Sequence, residues 1–134
     1  MEYQEFITHV QTMAQSASRE EAERATRATL ETLKERIPGE EVAVIAAELP
    51  SELSQFLQQQ QPTTSESFNL QEFIWRVSQR ENIEPTITAI HVRAVFAVLQ
   101  NAINSRRFSD FQAYFPHDYE ELFTKPSTSE VSPG

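Results

Sequence analysis

The chain contains no cysteine, which excludes disulfides, cysteine-based zinc sites and thiol nucleophiles together. Glycine is nearly missing too, with Gly39 and Gly134 alone in 134 residues. An all-β fold needs glycine at its many turns, so its scarcity argues for helices. It also removes phosphate-cradling loops and the strand-to-helix elbow that presents a serine nucleophile. Positive charge is in the minority: 11 Lys and Arg stand against 20 Asp and Glu, a net charge of −9. Such a surface repels nucleic-acid phosphates and anionic lipid, and no Lys/Arg run offers a local exception. No apolar run approaches the ~20 residues that cross a bilayer. The start, MEYQEFITHV, lacks the basic segment and continuous apolar core of a signal peptide. The expectation is a cytoplasmic protein with no membrane insertion and no nucleic-acid partner.

Histidine is scarce as well. His9, His91 and His117 do not stand in an HExxH or His-x3-His spacing, so no helical metal site is signalled and no cofactor is expected. His117 and Asp118 open a helix, where capping is a simpler role than ligation. Serines and acids are plentiful, yet none combines a nucleophile, a base and an orienting group at a telling spacing. No catalytic residue is assigned, and the chain is not expected to be an enzyme.

What the chain has is helical periodicity. Phe6, Ile7, Val10, Met13 and Ala14 mark one face of a helix over residues 2–15. Ser18 followed by Glu21 is a capping box. It starts a second helix whose core face is Ala22, Ala25, Thr26, Thr29, Leu30, Leu33 and Ile37. Pro38-Gly39 breaks it. A third helix spans roughly Glu40 to Leu49 and stops at Pro50, and Ser51 caps a short fourth with Leu53, Phe56 and Leu57 inward. QQQQPTTSES, residues 58–67, has no apolar residue and reads as a linker. Asn69 with Glu72 is a further capping pair.

Beyond the linker the order recurs. Glu72, Phe73, Ile74 and Val77 follow Glu5, Phe6, Ile7 and Val10 at an offset of 67 residues. After one lost residue the offset is 66: Arg93, Ala94, Leu99, Ile103, Ala113 and Pro116 follow Arg27, Ala28, Leu33, Ile37, Ala47 and Pro50. The expected fold is all-α: two tandem repeats of a four-helix unit, three longer helices and one short, packed as one domain. Repeat one covers 1–57, the Gln/Ser/Thr/Pro linker 58–69, repeat two 70–123, and a disordered tail 124–134. Each half, at roughly 60 residues, is marginal alone. The sixth helix is apolar on most sides, whereas its counterpart carries Arg24, Glu31 and Glu35 on an outer face. The sixth helix is therefore expected at the junction of the repeats or at a subunit interface.

The stretch RATRATLETLKERIPGEEVAVIAAELPSEL, residues 24–53, with EYQEFITHV upstream and FIWRV and RAVFAVL downstream, resembles a bacterial family catalogued as domain of unknown function 2267. The resemblance covers about residues 2–124. It implies a small all-helical bacterial protein and brings no activity and no functional residues with it.

Candidate sites are few. Glu5 with Arg27, and Glu72 with Arg93, recur at matched positions and are expected to form structural ion pairs between the first two helices of each repeat. Trp75 is the sole tryptophan. It falls at the edge of its apolar face, where it either packs between repeats or anchors a partner. Tyr114 occupies the polar slot held by Glu48 in the first half and is a candidate contact. Val92 and Val98 on the sixth helix complete the partner-binding candidates. Phe108, Phe111, Phe115, Tyr119 and Phe123 are core by spacing. Arg106-Arg107 sits at a helix start, where its charge opposes the dipole, and is expected to be solvated. The functional expectation is a non-catalytic protein-interaction module, binding another protein or a second copy. The alternatives are a carrier or sensor of a small apolar ligand held between the repeats, and a carboxylate-dependent enzyme.

Overall fold

Two helices of 18 residues each dominate the computed structural model, which describes residues 1–59, 62 and 64–123. In chain order the helices are α1 (Tyr3–Ala14), α2 (Arg19–Arg36), α3 (Gly39–Ala46), α4 (Ser51–Gln58), α5 (Leu70–Glu81), α6 (Pro85–Ala102) and α7 (Ser105–Gln112). A closing 3₁₀ helix covers His117–Phe123. Among the described residues there is no strand, so the chain is all-α. The expected tail, 124–134, and linker residues 60, 61 and 63 lie outside the described residues.

The long helices α2 and α6 pack on each other, and α1 and α5 each pack on both. The core runs through all of them, with Phe6, Ile7, Val10, Leu30, Leu33, Phe73, Val77, Val95, Phe96 and Leu99 all fully buried. As its apolar circumference requires, α6 is enclosed along most of its length, with Ile87 and Ile90 exposed near its start. The surprise is α2. Besides the expected face it buries Ala28, Thr32 and Arg36. Small residues let neighbouring helices approach closely. The hydroxyls of Thr26 and Thr32 donate to the carbonyls of Ala22 and Ala28 at 2.8 and 2.9 Å. Each is thereby satisfied within its own helix. Residues that read as semi-polar are thus fit for burial.

The helix ends follow local chemistry. Ser18 Oγ accepts the Glu21 amide at 3.1 Å, but Glu21 accepts from the Ala17 amide at 3.2 Å instead of returning to Ser18. Asn69 Oδ1 accepts the Glu72 amide at 2.9 Å. The third helix ends at Ala46, short of Leu49: the amides of Glu48 and Leu49 donate to the carbonyls of Ile45 and Ala46, a tighter turn that leads into Pro50. Pro50 takes the N-cap position expected of Ser51, which becomes the first helical residue. Gln15 and Asn82 terminate α1 and α5 in the left-handed region, with φ of 53° and 59°. That conformation commonly closes a helix.

The second half of the expected linker is tied down. The Glu66 amide donates to the Glu35 carbonyl at 2.8 Å. The Phe68 carbonyl accepts both the Tyr119 hydroxyl at 2.7 Å and Arg36 Nε at 2.9 Å. Asp118 Oδ2 accepts the Leu70 amide at 2.7 Å, so the 3₁₀ helix caps α5 rather than itself. We expect Tyr119→Phe to lower unfolding free energy by about 1–2 kcal/mol, since Tyr119 is fully buried and its hydroxyl is doubly engaged. Urea denaturation measures this, and an unchanged midpoint would remove that hydroxyl from the account.

Candidate functional site

The α2–α5 seam concentrates charge. Glu31 and Glu35 stand four residues apart on α2, and Arg76 and Arg80 four apart on α5, so each pair lies on one helical face. Arg76 reaches three carboxylates: Glu35 at 3.1 Å, Glu66 at 2.9 Å and Glu72 at 2.9 Å. Its guanidinium carbon lies 3.9 Å from the centre of the Phe68 ring, a cation–π contact. Arg80 binds Glu35 at 2.6 Å and donates to Thr32 Oγ1 at 2.8 Å. Burial pushes the Glu35 carboxyl up, but the hydrogen bonds and charges of Arg80 and Arg76 outweigh it and hold the group below the usual range. Such a network fixes side chains in a way isolated surface pairs do not. Beside it the Trp75 indole stands out, 52% exposed. Trp75, Glu35, Glu72, Arg76, Gln79 and Arg80 line a groove of about 540 Å³.

A second cluster centres on a buried histidine. His91 on α6 is 2% exposed. Its Nδ1 lies 2.8 Å from Glu81 Oε1 on α5, and its Nε2 lies 3.3 Å from Glu21 Oε2 on α2. The hydrogen bond to Glu81 holds the imidazole above its ordinary pKa of 6.5, against burial that lowers it, and the charges of Glu81 and Glu21 reinforce the rise. The arrangement fastens three helices together. Among the described residues no group of three or more His, Asp, Glu or Cys is placed to hold a metal.

The structure separates the partner-binding candidates. Trp75 and Tyr114 are exposed, Tyr114 at 41%. Val92 and Val98 are instead core residues, at 0% and 1%, because α1, α2 and α5 cover the faces of α6 that carry them. They are unavailable to a partner while the chain is folded. The four matched charges take partners other than those expected. Glu5 accepts the Glu2 amide at 3.4 Å, in a capping box at the start of α1. Arg27 pairs with Glu31 at 3.1 Å and Glu72 with Arg76 at 2.9 Å, both one turn along the same helix. Arg93 pairs with Glu121 at 3.1 Å. Arg107, expected to be solvated, is 3.2 Å from Glu48, whose other oxygen accepts the Asn104 amide at 3.0 Å. His117 is exposed and 3.3 Å from Glu120.

The seam and the buried histidine escaped the sequence reading. An i,i+4 pair of glutamates on α2 and an i,i+4 pair of arginines on α5 were the available signal for the seam. For His91 the signal was a lone histidine among apolar neighbours, with Glu81 ten residues earlier across a helical corner.

These features define an all-helical chain, and among the described residues no helix is long and apolar enough to span a bilayer. Over residues 3–122 the chain matches the family described as uncharacterized conserved protein (DUF2267), and it belongs to that family. No curated protein matches the chain.

Because the folded protein holds the His91 proton more tightly than the unfolded chain, that stabilisation is complete below about pH 6.5. It fades as pH rises through the elevated folded value. We expect the urea midpoint of the wild type to fall across that alkaline limb and His91→Gln to flatten it. An identical slope in the variant would refute the assignment. Glu35 works in the opposite sense, its contribution present above the usual carboxylate range and lost as acid protonates it. Glu35→Gln should cost about 1 kcal/mol at neutral pH, with a smaller penalty in high salt. A salt-independent penalty would point to packing instead.

Proposed function

We propose that this chain is a non-catalytic, cytoplasmic protein-interaction module that docks a protein partner through the Trp75 face. The observation that carries this reading is the half-exposed indole on a rigid frame. Large aromatic side chains with little freedom to lose are favoured interface anchors. Arg76, the next residue, is clamped by three carboxylates and Phe68, while Phe73 and Val77 lock the other side of α5 into the core. His91 with Glu81, a pair of catalytic residue types, is buried at 2% and 3% exposure. The alternative, a carrier of an apolar ligand, has less support because the Trp75 groove has charged walls.

The same proposal takes the module as two copies of a four-helix unit. Helix lengths of 12, 18, 8 and 8 residues in α1–α4 are followed by 12, 18, 8 and 7. The left-handed caps fall at Gln15 and Asn82, and extended caps at Ile37 and Ile103. Fused copies would bury one another's long second helix and leave the outer face of α5 for a partner.

Trp75 is also the natural reporter. Its emission should shift to shorter wavelength on association, whether with a second copy as concentration rises or with a protein retained from a host extract. Sedimentation distinguishes the two. Trp75→Ala should weaken either complex by about 2 kcal/mol, roughly thirtyfold. Emission unmoved in a complex that forms equally well with Trp75→Ala would sink the proposed face.

A further inference from the structure

Arg36, the last residue of α2, is a buried cation without an anion. It is 7% exposed. Its Nε donates to the Phe68 carbonyl at 2.9 Å and to the Tyr119 hydroxyl at 3.2 Å. The rings of Phe115, Tyr119 and Phe68 surround its guanidinium, at 5.2, 5.2 and 5.9 Å from its carbon. Among the described residues no carboxylate pairs with it, and Nη1 and Nη2 donate to nothing. The arginines at 27, 76, 80, 93 and 107 all pair with glutamates. Acids are not in short supply, at 20 against 11 bases. A buried charge lacking a counter-ion is costly, and the Nε bonds account for only one edge of the guanidinium.

The remaining edge belongs to a pocket. Arg36, Ser67, Asn69, Tyr114, Phe115 and Pro116 line a cavity of about 510 Å³ between the end of α2, the start of α5 and the turn before the 3₁₀ helix. We propose that this pocket binds a carboxylate, held by the paired Nη1 and Nη2 donors, with the ligand's body against Tyr114 and Phe115. A planar guanidinium edge matches a carboxylate's two oxygens, and aromatic walls match an apolar or aromatic body. One guanidinium balances one negative charge. On the neighbouring side Tyr114 and Ala113 also line a cavity of about 380 Å³ whose other walls are Glu41 and Asp110. Glu41 is 7% exposed and its Oε2 has no hydrogen-bond partner. A singly charged acid fits between these fields, and a phosphate dianion is repelled. The proposal is independent of the Trp75 groove, which lies on other residues.

The test uses benzoate as the probe, with benzamide as its neutral counterpart and phenyl phosphate as the dianion. In the full ¹⁵N-labelled chain, benzoate should move the Arg36 Nε–H signal and the Tyr114 and Phe115 amides saturably. Benzamide should move none of them, and phenyl phosphate should bind more weakly. Arg36→Lys and Tyr114→Ala should each weaken benzoate by about tenfold or more. Tyr114 is exposed, so its variant remains informative if Arg36→Lys does not fold. Short peptides ending in phenylalanine identify the source. Binding of the free-acid form but not the amide assigns the carboxylate to a partner's chain end, and exclusion of both assigns it to a free small acid. Equal binding of benzoate and benzamide, or shifts that avoid Arg36, would overturn the proposal. Phenyl phosphate binding as tightly as benzoate would overturn its restriction to a single charge.

Discussion

The mutual burial of α2 and α6 is the constraint on which the rest of the structure depends. Each is long, and neither has a face that tolerates being left in water along its whole length. Their crossing places α1 and α5 against both at once, so no part of the core belongs to a single hairpin. A unit of about half this length would expose one long helix on a side built for contact, and small units have little stability in reserve. The mutual burial also explains why Val92 and Val98 are sealed inside the chain rather than offered to another one.

The electrostatics follow from the same crossing. An acid-rich chain must place some carboxylates where helices meet, and where α5 meets α2 and α6 each of them has a cation. His91 stands between Glu81 and Glu21, and Arg76 and Arg80 stand opposite Glu31 and Glu35. These contacts join α5 to α2 and α6, which hydrophobic packing alone would leave free to slide. Ion pairs of this kind add less to net stability than to register. The scarcity of bases makes every buried one informative, which is why Arg36, buried and without a carboxylate, stands apart from Arg76 and Arg80.

Helical class, element order and most of the core were legible because they are properties of spacing. The apolar faces of α1, apart from the exposed Met13, and of α2, the Ser18 and Asn69 caps and the aromatic cluster beneath α7 are where periodicity puts them. What spacing does not encode is what faces a polar stripe. Glu31 and Glu35 read as an outer surface because a single helix cannot reveal that two arginines lie across from them. The matched charges failed for a related reason. Arg27 and Glu72 take partners one turn along their own helices, Glu5 joins the α1 cap and Arg93 pairs with Glu121; an exposed pair across two helices has too little energy to displace a one-turn contact. Trp75 at the edge of an apolar face and Tyr114 at a polar position were recognisable, since both are matters of spacing.

The two proposed sites differ in kind, and the difference follows from the positions of Arg76 and Arg36. Arg76 is saturated: every edge meets a carboxylate and its face meets Phe68, so it has nothing to offer a ligand and serves to immobilise α5 beneath Trp75. A tryptophan on an immobile helix loses little entropy on docking, and what it gains is the apolar area it removes from water. Arg36 is unsaturated and ringed by aromatics, so what it gains from a ligand is the neutralisation of a charge that the fold leaves only 7% exposed. The first site prefers a surface and the second a functional group. Because Phe68 contacts both guanidiniums, at 3.9 and 5.9 Å, the segment entering α5 is the physical link between them.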